Sequence, residues 1–129
     1  IAYRMQGNLA LALSTYQERL LIAQATNDRR SLGLVFGNIG NVYHEMEDYA
    51  QASHYYQQQL EIALEIRDRL LEASACENLS NFAEQQGDRQ TAIHYLRRII
   101  EIQQQIGHKH LQTTIARLAQ LEQSEMNQA

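Results

Sequence analysis

The 129-residue sequence predicts an all-α protein, a superhelical solenoid of antiparallel helix hairpins. Three observations carry that prediction. Gln, Glu, Ala, Leu and Arg dominate a chain that contains no proline, and these residues favour helices while proline would break them. Apolar residues recur at steps of three and four, which places them on one helix face. The sequence also echoes itself at a fixed interval of 40 residues, the mark of a repeat architecture.

The echo is seen by aligning the stretches that begin at Gly7, Glu47 and Gly87. Ala12, Ala52 and Ala92 coincide, as do Tyr16, Tyr56 and Leu96. Leu20, Leu60 and Ile100 follow in step, then Ile22, Ile62 and Ile102, and Asp28-Arg29 matches Asp68-Arg69. Between them, Phe36, Asn38, Ile39, Gly40 and Asn41 fall in register with Cys76, Asn78, Leu79, Ser80 and Asn81. The expected organisation is one domain over residues 1–129. Its units cover 1–28 (partial), 29–68 and 69–108, with a lone terminal helix over 109–126.

Each element has a local reason. Gly7 and Asn8 are expected to separate a short helix over 1–6 from a second over 8–26, with Asn8 as its N-cap. Phe36, Ile39, Gly40, Tyr43 and Met46 form the apolar face of a helix over 30–46. Asp48 is placed to cap the next helix, 48–66, by accepting a bond from a free first-turn amide. Tyr49, Ala52, Tyr56, Leu60 and Ala63 give that helix its face. The Cys76–Asn81 echo sets a helix over 70–86. Gly87, suited to a left-handed terminus, and Asp88 then open 88–106. The last helix, 109–126, carries Leu118 and Leu121 where earlier units have asparagine. Short connections make sequential helices antiparallel. Gly40, Ser80, Ala52 and Ala92 are small enough to let backbones approach, with Tyr43 and Tyr56 filling the space beside them. A single hairpin of this kind cannot bury its apolar face, but stacked neighbours can.

Composition narrows the function. The net charge is −4 with the signs mixed, and without a basic block nucleic acid is not an expected partner. No apolar run approaches the roughly 20 residues of a membrane span, and no signal peptide is visible. A lone cysteine, Cys76, precludes an internal disulfide framework and suits a reducing cytoplasm; matching Phe36 in register, it reads as a small buried hydrophobe. The chain opens at Ile1, so a fragment or a processed product is expected. His54 and His94 are one repeat position seen twice and are expected to be exposed. His108 and His110 flank Lys109 in a turn. Neither pair supplies the three or four clustered ligands of a zinc site, so no metal is expected. Without a glycine-rich phosphate loop or a carboxylate pair singled out by apolar surroundings, no cofactor and no enzymatic activity are expected.

The small-residue, aromatic and alanine pattern Ile39-Gly40, Tyr43, Ala52 and Tyr56 resembles the tetratricopeptide repeat, whose usual unit is about 34 residues. The 40-residue form here, with GNIGNVY and a QQLEIALEIRDR second helix, is similar to repeats of the spindle-orientation adaptors that modulate G proteins. It is also similar to the kinesin light chain and to bacterial signalling proteins. The resemblance covers nearly the whole chain. The sequence departs from the pattern at Cys76, Ser80 and Ala83, and looser packing is expected at Ala83.

The resemblance implies a protein-binding module that takes an extended or partly helical segment in a concave groove lined by the first helix of each unit. On that register the lining residues are Leu34, Gly37, Asn38, Asn41, His44 and Glu45. In the next unit they are Ser74, Glu77, Asn78, Asn81, Glu84 and Gln85. Arg4 and Met5 precede them, and Arg117, Leu118 and Leu121 follow. Asparagine is a poor choice in mid-helix because its amide competes with the backbone, yet it recurs at Asn38, Asn41, Asn78 and Asn81. An amide that both donates and accepts suits a peptide main chain, and the resemblance implies that role; the alternative is bonding between adjacent helices. Glu45, Glu77 and Glu84 would favour a basic ligand, or simply form a solvated charged face. A competing role is a spacer or homo-oligomer that packs through exposed ends of the stack, and a third is the regulatory part of a larger enzyme.

Overall fold

The computed structural model describes residues 3–107 and 110–128. Six helices form there: α1 (Tyr3–Ala25), α2 (Arg29–Glu45), α3 (Tyr49–Ile66), α4 (Arg69–Gln85), α5 (Arg89–Ile106) and α6 (Leu111–Gln128). The class is all-α, as expected, and tight turns join the helices from α1 to α5. The chain divides into two compact units, Ile1–Ala75 and Cys76–Ala129, the division falling inside α4.

One expected boundary is absent. Helix α1 runs unbroken through Gly7 and Asn8, so Gly7 ends no helix and Asn8 caps none. Positive φ among the glycines is confined to Gly87 and Gly107. A glycine terminates a helix only when the backbone turns left-handed there. At an exposed mid-helix site it costs only about 1 kcal/mol, which flanking helix formers override.

The turns share one joint that recurs every 20 residues. Asn27, Glu47, Arg67, Gly87 and Gly107 all adopt left-handed backbone, with φ of 53°, 62°, 55°, 80° and 67°. At the first four, the next residue is Asp28, Asp48, Asp68 or Asp88. Each aspartate N–H donates to the carbonyl five residues back, on Ala23, Tyr43, Ala63 and Ala83, at 2.8–3.0 Å. That bond closes the preceding helix in a Schellman arrangement. Each aspartate carboxylate then accepts from the N–H three residues ahead, on Ser31, Gln51, Leu71 and Thr91. One residue thus stops one helix and starts the next, satisfying amides that would otherwise be orphaned.

In the first unit, α2 lies antiparallel on α3, and its glycines set the distance. A Cβ on Gly33 would meet Leu71 at 2.7 Å and Ile62 at 3.3 Å. On Gly37 it would strike the Gln59 side chain, and on Gly40 it would meet the Tyr56 ring at 2.7 Å and the Ala52 carbonyl at 3.3 Å. Ascending positions on α2 meet descending ones on α3, so the helices run in opposite directions. Tyr55 lies between Phe36 and Tyr43, with ring centroids 5.7 and 5.6 Å away and the Tyr43 pair stacked at 11°. Ala23, Leu32, Phe36, Ile62, Ala63 and Leu71 form the buried cluster that joins α1, α2, α3 and the first turn of α4. On α1, however, Ile22 is 63% exposed, whereas its repeat equivalents Ile62 and Ile102 are buried.

In the second unit, Cys76, Leu79, Ser80 and Ala83 are buried on α4, and Ala92, Leu96, Ile99 and Ile102 on α5. Ser80, fully buried, holds the place of Gly40. Helix α6 packs on α5 but buries only Thr114 and Leu121.

The two glycine environments predict opposite effects. Gly40→Ala should lower stability by about 1–3 kcal/mol through overpacking, whereas Gly7→Ala, with nothing within 4 Å, should raise it by about 0.5–1 kcal/mol. Urea unfolding followed by circular dichroism reads both.

The joints carry a pH dependence. Capping bonds hold the Asp28, Asp68 and Asp88 carboxyls below their ordinary value, helped at Asp68 by the Arg30 guanidinium 2.8 Å away. A carboxyl more acidic in the folded state adds stability that is complete above the unfolded value of about 3.9 and is lost as pH falls below it. The thermal midpoint should therefore stay level from about pH 7 to 5 and fall below about 4. Asp68→Ala should cost about 1 kcal/mol at neutral pH and flatten part of that fall. A wild-type midpoint that holds to about pH 2.5 would show that the caps contribute nothing.

Candidate functional site

The expected lining residues divide between the two units. On α2, Leu34 is 39% exposed and Asn41 and Glu45 are exposed, while Asn38 and His44 are half-buried. Leu34, Asn38, Asn41 and Glu45 step by four, three and four, so they share one stripe. Gly37 does not join them, contrary to expectation. It is buried beneath Gln59, itself only 3% exposed, because the close seating of α2 on α3 uses every glycine of that face.

The two asparagines of α2 differ. Asn41 Oδ1 accepts a 2.6 Å bond from the Tyr56 hydroxyl on α3. Burial pushes the Tyr56 phenol up to about 12, with the Glu45 charge adding to the shift, so the hydroxyl stays protonated as a donor. Asn38 forms no side-chain hydrogen bond among the described residues. The Tyr56–Asn41 bond is of the interhelical kind that the sequence offers as the alternative for its asparagines, and the aromatic register points to its donor: Tyr56 is a tyrosine where the next unit has Leu96, so its hydroxyl needs a partner.

On α4, Ser74, Asn81, Glu84 and Gln85 are exposed, and Glu77 and Asn78 are half-buried. The structure brings three of the expected residues together in the second unit. The Arg117 guanidinium on α6 reaches Glu77 Oε1 at 2.5 Å and Asn81 Oδ1 at 2.8 Å. Leu118 is half-buried beside it. Leu121, expected on the lining, is instead buried at 8% exposure, because an apolar side chain at the register of Asn81 is drawn out of water. The side chains of Arg4 and Met5, and residues His108 and Lys109, lie outside those described.

His54 and His94 are exposed and sit edge-on to Tyr55 and Tyr95. Among the described residues no three His, Cys, Asp or Glu side chains are grouped to hold a metal, and no helix is long and apolar enough to cross a membrane. Shifted proton affinities occur at Asp28, Asp68 and Asp88 and at Tyr43 and Tyr56, where capping and burial explain them. What the faces of α2 and α4 offer is hydrogen bonding and charge.

Helical hairpins joined by recurring turns, with polar stripes on the first helix of each, define a repeat protein of the protein-binding class. Family models described as tetratricopeptide repeat match residues 1–65 and 73–106. The chain belongs to the tetratricopeptide repeat family, whose members are generally protein–protein interaction modules and typically not enzymes. No curated protein matches the chain closely enough to be compared with it.

Tyr56→Phe removes the donor to Asn41 and should cost about 0.5–1.5 kcal/mol. Together with Asn41→Ala, the double-mutant cycle isolates the pair. Additive losses would mean that the hydroxyl and the amide do not act together.

Proposed function

We propose that the chain binds an extended or partly helical segment of a partner protein along the polar faces of its first helices, as a scaffold or signalling module. The observation that carries this reading is Asn38. It lies in mid-helix, half-buried, where asparagine is unfavourable, and its amide is unspent among the described residues. Its neighbour Asn41 is tied to Tyr56, so the interhelical explanation that accounts for one asparagine does not account for the other. An unspent amide beside the apolar Leu34 can take a peptide N–H and C=O together with an adjoining side chain. Glu45 and Glu84, both exposed, favour a segment carrying basic residues and speed its encounter.

A second reading has its own support. Leu11, Leu21 and Ile22 on α1 are 68%, 66% and 63% exposed, and Met126 on α6 is 71% exposed. Apolar surface of this kind suits packing against another copy. Light scattering over a concentration series separates the two readings, since a constant monomer mass excludes self-association.

The direct test of the peptide reading is Asn38→Ala. Binding of the partner segment should weaken about tenfold, the equivalent of roughly 1.4 kcal/mol. The thermal midpoint should hold within a degree or two, because Asn38 makes no side-chain hydrogen bond among the described residues. A fall in stability with unchanged binding would assign Asn38 to the stack instead.

A further inference from the structure

The contact of Arg117 with α4 differs from the bonds that hold the first unit together. Glu77 and Asn81 lie one turn apart on α4, at the register of Gly37 and Asn41, and Glu84 continues the stripe. In the first unit the equivalent amide is held from within the hairpin by Tyr56. In the second unit Leu96 stands in the place of Tyr56 and has no hydroxyl to offer. The vacancy is taken by a guanidinium from α6, one nitrogen on the Glu77 carboxylate and another on the Asn81 carbonyl oxygen. A planar fork of donors matches such a pair of acceptors better than an ammonium does.

That occupant is lightly held. Helix α6 buries only Thr114 and Leu121, whereas α2 buries eight side chains and glycines. Leu111 and Leu118 add half-buried apolar surface, and the polar ties to α5 are Arg97 to Glu122 at 3.0 Å and Arg89 to Gln128. The Arg117 and Glu77 side chains are themselves 31% and 40% exposed, so water and salt weaken the pair. A contact of this strength can be exchanged for an equivalent one from outside.

We infer that Arg117 is a built-in competitor: it fills, with its own guanidinium, an arginine-binding subsite formed by Glu77 and Asn81. A partner that seats an arginine there must first displace Arg117. This inference rests on the peptide-binding reading and specifies the side chain that the α4 face takes. An internal occupant lowers apparent affinity by the fraction of time the subsite is open, so removing it should tighten binding.

The test uses the whole chain and an acetylated, amidated pentapeptide with arginine at its centre and alanine elsewhere. Binding is followed through the asparagine side-chain amide signals at low salt. Arg117→Ala should bind this peptide at least about fivefold tighter than the wild type, with the shift centred on Asn81. The gain should vanish in the Glu77→Gln/Arg117→Ala double variant and shrink when lysine replaces the peptide's arginine. Glu77→Gln alone is the control for loosening of α6. Hydrogen exchange should show α6 as labile in it as in Arg117→Ala, but without the gain in affinity. Binding in Arg117→Ala no tighter than in the wild type, with shifts confined to Asn38 and Asn41, would overturn the inference and leave the proposed function standing. An equal gain in Glu77→Gln would overturn it as mere loosening. No shift in any variant would remove both.

Discussion

The structure depends on the aspartate joint. At Asp28, Asp48, Asp68 and Asp88 a single residue gives its N–H to the helix behind and its carboxylate to the helix ahead. Two helices cannot meet in fewer residues without leaving backbone groups unpaired, and buried or half-buried orphans are costly. The joint fixes where each helix stops and where the next starts, and at Asp28 and Asp48 the helices it separates pack on one another. The left-handed residue before it need not be glycine: Asn27, Glu47 and Arg67 accept the strain, and the paired bonds on either side repay it.

With the turns fixed, small residues decide how closely the helices lie. Gly33, Gly37 and Gly40 allow α2 to settle onto Ile62, Gln59 and Tyr56 of α3, and Ser80 serves at the Gly40 position on α4. Close seating also decides what is left over for binding. Gly37 is consumed by the hairpin, while Leu34, Asn38 and Glu45 turn away from it. The candidate faces are therefore by-products of packing: a residue is available to a partner when the hairpin has no use for it.

The two units spend the same register differently. Asn41 is held by a tyrosine of its own hairpin, and Asn81 by an arginine of α6. A position that looks equivalent in an alignment thus has two chemical environments. At this register Leu96 stands where the first unit has Tyr56, so the hydroxyl that holds Asn41 has no counterpart in the second unit.

The sequence by itself determined the repeat, the helix class and most helix limits, because these follow from short-range rules: spacing of apolar residues, cap chemistry and glycine before aspartate. It misplaced the start of α1, since Gly7 and Asn8 resemble Gly87 and Asp88 locally. Only the absence of a left-handed turn there distinguishes them. It also supplied the asparagine stripe as a candidate site. That Asn41 is bonded while Asn38 makes no side-chain hydrogen bond among the described residues, that Gly37 and Leu121 are buried, and that Arg117 lies across Glu77 and Asn81 were decided by tertiary structure alone. Those facts depend on the side chain that arrives from another helix, 15 to 40 residues away along the chain, and no local pattern encodes that arrival.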